Sequence, residues 1–233
     1  MNIGELTKSV GGLTKTSKMN CYSYSLPETE CKTGNKLKNN PYSVCSNCYA
    51  GKNFYKVYEK TIKPAQYNRL NILLNDLKNW GGNFSALILR KKFKKFRWFD
   101  SGDIQSVEHA KEMIKIAENN PDTKFWLPTK EYAIYHTIKN SIPKNLCVRV
   151  SHPLKNAVLS SEKYKNHSAV LATTKIIEID GKEIKVKTNE YINKFIAKYG
   201  EDKICQAYKN DGNCGTCEKC FDTNIDLIAY IEH

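Results

Sequence analysis

No apolar run in this chain approaches the ~20 residues that cross a bilayer, which argues against a membrane-spanning role and against a membrane partner. The opening Met1-Asn-Ile-Gly-Glu-Leu-Thr-Lys has neither an apolar signal core nor a small-residue cleavage site, so export is not expected and a cytoplasmic location is. No glycine-rich phosphate loop and no Gly-x-Ser-x-Gly is present, so kinase and serine-hydrolase readings have no support. The five histidines, His109, His136, His152, His167 and His233, form no metal-type pair. Acid is scarce beside base: 24 Asp+Glu face 37 Lys+Arg, a net charge of +13. Internal repeats, low-complexity stretches and linkers are not evident, so residues 1–233 are expected to form one domain. With 40% hydrophobic and 26% charged residues, the composition is that of a folded chain rather than a disordered one.

Against these absences stand nine cysteines. In a reducing compartment they are better read as metal ligands than as disulfides, and the odd number excludes complete pairing. Seven fall in two groups: Cys31-x13-Cys45-x2-Cys48, and Cys205-x8-Cys214-x2-Cys217-x2-Cys220. The second group lies among Gly212, Gly215 and polar residues and cannot be core. Two Cys-x2-Cys hooks separated by a long loop would suit zinc. A run at two-residue gaps with one earlier thiolate suits a cubane iron–sulfur cluster, whose irons a tight loop can reach in turn. Zinc remains the alternative. The first group supplies three ligands, too few to close either site; an open position is the usual mark of a reactive centre. The alternative is a closed site completed by Cys21 or a histidine. Cys147, within Leu146-Cys-Val-Arg-Val150, reads as a small buried hydrophobe.

Hydrophobic periodicity then orders the chain. Tyr22–Leu26 reads as a strand, and Ala50 to about Phe93 as helical with breaks at Pro64 and Gly81-Gly82. Leu70, Leu73, Leu74, Leu77 and Trp80 share one helical face. Strands follow at Phe96–Asp100, Lys124–Pro128, Leu146–Ser151, Ser168–Ala172 and Ile225–Ile231. Between them lie helices capped by Ser106 and opened by Thr129, a hairpin over Ile176–Val186 turned at Asp180-Gly181, and a helix capped by Asn189. Alternating strands and helices predict an α/β fold with parallel βα repeats, forming a partial (β/α)6-like barrel with cysteine-rich metal-binding loops near both ends. These loops are residues 31–48 and 205–221; the hairpin and helix, 176–200, read as an insertion. The first cysteine loop, Asp100-Ser101-Gly102-Asp103, Thr129-Lys130 and Ser151-His152 would share the rim at the strands' carboxyl ends.

Asp100 and Asp103 either cap the following helix or, with Ser101 and Gly102, bind a cationic or hydroxyl-bearing ligand. Arg149, between Val148 and Val150, either holds a carboxylate inside the barrel or faces solvent or a structural acid. If Asp103 and Arg149 both face the first cysteines, they could grip the two ends of a zwitterion. Lys130 and Glu131 read as a surface ion pair. The run Arg90-Lys-Lys-Phe-Lys-Lys-Phe-Arg97 interleaves cations with aromatics, a pattern suited to phosphate contacts and base stacking, or simply to a solvated helix end.

Several of these segments resemble the phage gene-product-88 family: Ser25-Leu26-Pro27 before Cys31, Cys45-Ser-Asn-Cys-Tyr-Ala50, and Phe96-Arg-Trp-Phe-Asp-Ser-Gly-Asp-Ile-Gln-Ser106. So do Phe125–Glu131, Asn145–Val150 and Cys214–Phe221, in the same order. The resemblance implies a phage or prophage origin, a host-cytoplasmic location, and the seven grouped cysteines as ligands. Cys21 and the Ile176–Gly200 insertion depart from it. A weaker, architectural likeness is to radical S-adenosylmethionine enzymes, which place three cysteines after the first strand of a partial barrel. Their usual C-x3-C-x2-C spacing is absent here. Three functions therefore compete. One is an enzyme with an open [4Fe-4S] cluster, S-adenosylmethionine as co-substrate, and nucleic acid or nucleotides as target. The second is a metal-stabilised module binding nucleic acid or a host protein. The third is a redox sensor.

Overall fold

A computed structural model describes residues 1–232; His233 lies outside the described residues. The elements in chain order begin with α1 (Ile3–Ser9), β1 (Thr14–Lys15), β2 (Tyr22–Tyr24), α2 (Lys32–Leu37) and α3 (Asn53–Val57). Next come α4 (Glu59–Asn75), α5 (Leu77–Lys91), β3 (Lys95–Trp98), α6 (Val107–Glu118), β4 (Lys124–Thr129) and α7 (Tyr132–Ile138). The chain ends with β5 (Leu146–Ser151), β6 (His167–Leu171), β7 (Thr174–Ile179), β8 (Lys182–Lys187), α8 (Glu190–Tyr199) and β9 (Leu227–Ile231).

The fold is mixed α/β around a mostly parallel seven-stranded sheet of order β1-β2-β3-β4-β5-β6-β9. Only β1 runs antiparallel, to β2. The six parallel strands follow chain order without reversal, so successive crossovers step in one direction. Helices fill the crossovers from β2 through β5, whereas residues 152–166 join β5 to β6 without one.

Period-two alternation divides the sheet's faces. Tyr24, Phe96, Trp98, Phe125, Leu127, Val148 and Val150 point into one apolar cluster with Trp80, Phe84, Met113 and Ile134 of the helices. The intervening Trp126, with Ile228 of β9, meets a second cluster containing Met19, Cys21, Cys220 and Phe221. The helix-free face is thus covered by the C-terminal cysteine segment, and Cys220 packs into core there, which corrects the expectation that this group lies outside any core. Hairpin β7–β8 pairs only with itself, turned by Asp180 and Gly181 at φ 52° and 71°.

Three helix boundaries differ from the sequence reading; the first is that Thr129 ends β4 and α7 opens only at Tyr132. Helix α4 passes through Pro64, which, like Lys60 one turn earlier, is exposed, so water can take the carbonyl bond that proline cannot supply. Gly81 lies inside α5 because α6 packs there: a Cβ would come within 2.6 Å of Glu112 Oε2. The break falls instead at Asp76, whose side chain accepts from Asn79 N and caps α5. This turn leaves Leu74 exposed while Leu70, Leu73 and Trp80 are buried.

Candidate metal and ligand site

The first cysteine loop folds over the carboxyl ends of the central strands. Glu131, just after β4, is buried and accepts from Thr33 N at 2.9 Å and Thr33 Oγ1 at 3.0 Å. It clamps α2, whose N-cap is Cys31, to the rim. This corrects the expected surface ion pair with Lys130: the carboxylate is spent on the loop. Lys32 Nζ donates to the Gln105 carbonyl at 2.7 Å. On the far side, Val44 N and Ser43 Oγ donate to the Pro153 carbonyl after β5. Three strand ends, those of β3, β4 and β5, therefore hold the loop that carries Cys31, Cys45 and Cys48.

These thiols are neighbours. Gly34 stands against them: a Cβ there would lie 2.9 Å from Cys31 Cβ, 3.7 Å from Cys45 Sγ and 3.9 Å from Cys31 Sγ. Any larger residue would clash with the Cys31 Cβ and touch the two sulfurs, so this glycine lets the helix turn sit close against them. Burial pushes the Cys31 thiol well up, reinforced by Asp103, Cys48 and Cys45; burial raises Cys45 too, against the pull of the Lys130 ammonium. A metal would reverse this by deprotonating the thiols it bound.

Asp103 sits among these groups, buried, with Oδ1 accepting from Thr129 Oγ1 at 2.7 Å and Ile104 N at 2.8 Å, and Oδ2 from Lys130 N at 2.9 Å. Burial raises its pKa to about 6, and these hydrogen bonds limit the rise. Asp100 pairs with Arg97 at 2.7 Å and accepts from Tyr55 at 2.5 Å, while its carbonyl accepts from Tyr49 next to Cys48. Ser101 and Gly102 turn against β2. Ser101 Oγ donates to the Leu26 carbonyl at 2.9 Å, and Gly102, at φ 85°, would place a Cβ 2.6 Å from Leu26 Cβ. These two residues build the rim's backbone.

Arg149 lies elsewhere. It is 1% exposed, and its guanidinium donates to the carbonyls of His167, Asp226, Ile225, Lys219 and Asp222 and to Cys147 Sγ. The expected grip of Asp103 and Arg149 on one zwitterion is therefore not formed. Arg149 lies on the sheet face opposite Val148 and Val150, where its donors fasten the C-terminal segment. Lys130 is the cation felt by the first cysteines.

The second group gathers under that face, and Cys21 joins it. Cys21, Cys214 and Cys217 line one small cavity with Phe221. Cys214 N donates to the Lys18 carbonyl at 2.8 Å, and Cys205 N to the Ala229 carbonyl at 2.8 Å. Cys220 is buried 3.2 Å from Tyr230 Oη, and burial pushes it up to about 12. Arg97, stacked 4.7 Å over Trp126, lies between the groups: it pairs with Asp100 on one side and acts on Cys214 and Cys220 on the other. In the sequence Arg97 stands out only as the end of a basic run and Glu131 only as half of a surface ion pair, so the sequence places neither at this site. Among the described residues, no set of three or more His, Cys, Asp or Glu side chains is spaced to hold a metal ion.

The gene product 88 family matches residues 4–223. The chain belongs to that phage gene-product family. No curated protein and no solved structure matches it. The family assignment lends no support to the radical S-adenosylmethionine likeness. Among the described residues no helix is long and apolar enough to cross a membrane.

Proposed function

We propose that this family member is an iron–sulfur enzyme of the host cytoplasm with two unlike centres. Cys31, Cys45 and Cys48 would hold a cluster with one open coordination position; Cys205, Cys214, Cys217 and Cys220 would hold a closed, structural one. The observation that carries the reading is the first cysteine loop itself. Three thiols stand together at the strands' carboxyl ends, the Gly34 turn sits close against two of them, and Glu131 fixes the loop that bears them. The donor type fits the group: soft, half-buried thiols with no competing histidine among the neighbours that perturb them, which a bound cluster would have to draw together because their present spacing does not form a metal set. When bound, such a cluster supplies one-electron chemistry at its open iron.

The six parallel strands in chain order suit a partial (β/α)6-like barrel, whose ligand rim is where this loop lies. S-adenosylmethionine is the proposed co-substrate. With Arg149 committed to the C-terminal segment, Lys130 becomes the cation for its carboxylate. Asp103 Oδ2, which accepts one hydrogen bond, keeps a lone pair for its amine. The net charge of +13 favours nucleic acid or nucleotides as target. Titrating the reduced, anaerobically prepared protein with S-adenosylmethionine should perturb the electron paramagnetic resonance signal of the first cluster. An unchanged signal at saturation would exclude that co-substrate.

A further inference from the structure

The basic run ahead of β3 has no role in the chemistry above, yet it builds one side of a cleft. The cleft holds about 330 Å³ and is lined by Lys15, Lys92, Lys94, Lys95, Tyr22 and Phe93 among others. It opens at the amino ends of β2 and β3 beside edge strand β1, where Lys15 stands opposite Tyr22. The first cysteines follow the carboxyl ends of the same strands, so the cleft lies at the other end of the sheet.

Its chemistry is one-sided. None of its lining residues is acidic; Glu218 stands at its edge, shared between Lys95 at 3.0 Å and Lys124 at 2.9 Å. Lys15, Lys92 and Lys94 are exposed and take part in no ion pair among the described residues. The floor is aromatic: Tyr22 and Phe93 stack with ring centroids 4.8 Å apart, and Lys91 Nζ lies 5.6 Å and 5.9 Å from them. The chain makes this arrangement locally. Lys92 ends α5 in a left-handed conformation, φ 51°, which turns the backbone so that consecutive cations face the cleft rather than continuing around a helix.

We propose that this cleft is an anchoring site for single-stranded nucleic acid. Its lysines would take successive backbone phosphates, and the Tyr22–Phe93 pair would offer a stacking surface to one base. Single strands fit better than duplex because a cleft of this size admits about one nucleotide and its aromatic floor needs an unpaired base face. The inference rests on nucleic acid being the target in the proposed function, but needs no metal.

The test is fluorescence anisotropy of the metal-loaded protein with a labelled oligothymidylate, across a salt series, for the parent and for Lys92→Gln/Lys94→Gln. Both positions are exposed, so an unchanged thermal melt and iron content check folding. Binding by the variant should be about tenfold weaker, and its log K against log salt slope shallower by about 1.4, two phosphate contacts on a single strand. Parent-like affinity and slope in the variant would overturn the cleft while leaving nucleic acid as target. No binding by the parent at low salt would overturn both. Competition by thymidine monophosphate as effective as by the oligomer would replace the polymer with a free nucleotide.

Discussion

Replacing Arg149 by Met should loosen the C-terminal cysteine segment before it affects anything at the rim. The guanidinium makes three contacts of 3.2 Å or shorter, to the carbonyls of His167, Asp226 and Ile225, and longer ones to Lys219 and Asp222. Each hydrogen bond to a charged group is worth about 1.5–3 kcal/mol, and the low end applies here because the Asp226 and Ile225 carbonyls keep His167 N and Asn166 Nδ2 as donors. Removing the buried charge offsets part of that, since an apolar side chain of similar volume avoids the desolvation cost. The net loss should be about 3 kcal/mol, which for a chain of this length lowers Tm by about 6–12 °C. Far-UV circular dichroism melts give the stability, and amide hydrogen exchange over residues 219–226 gives the location. A variant melting within about 1 °C of the parent with unchanged exchange there would refute the structural role. Loss of ligand binding with unaltered stability would return Arg149 to the ligand site.

Asp103 gives a pH-dependent counterpart in the metal-free protein. Its folded-state pKa of about 6 lies above the ordinary value of 3.8, so its contribution is fully present below the ordinary value and lost as pH rises through 6. The ionised carboxylate should cost about 2 kcal/mol of stability at neutral pH relative to pH 4, where the unfolded chain's carboxyl is already partly ionised; the parent's Tm should fall over that interval more than that of Asp103→Asn. Parallel Tm profiles would contradict this. Cys217→Ser should lower metal content and Tm together, because metal binding free energy is folding free energy for a loop with little core of its own. Unchanged metal and Tm would remove the C-terminal group as a metal site.

Much of this fold was legible because it is written in alternation. Phe96 and Trp98, or Leu146, Val148 and Val150, announce strands whose apolar faces go the same way, and Ser106 caps α6 as its position suggests. The shared rim follows from parallel topology alone: Leu26, Asp103, Thr129 and Ser151 end or follow strands that run together. Side-chain commitments were not legible. Alternation placed Arg149 opposite its valine neighbours, but which groups met it depended on a segment seventy residues later folding back across that face. Glu131 looked like a surface acid because its partner, Thr33, is joined only in space. Cys21, alone in sequence, meets Cys214 and Cys217 through that same fold-back. Pro64 misled because a proline's cost falls where the freed carbonyl is solvated, and exposure is not visible in the residue itself.

Metal analysis of protein purified without oxygen shows whether the two cysteine groups hold iron. Two cubane centres predict a brown protein with about 8 irons and matching sulfide per chain, falling to about 4 irons in Cys45→Ser/Cys48→Ser. Stoichiometric zinc without iron, or a folded parent free of any metal, would rule out both iron–sulfur centres.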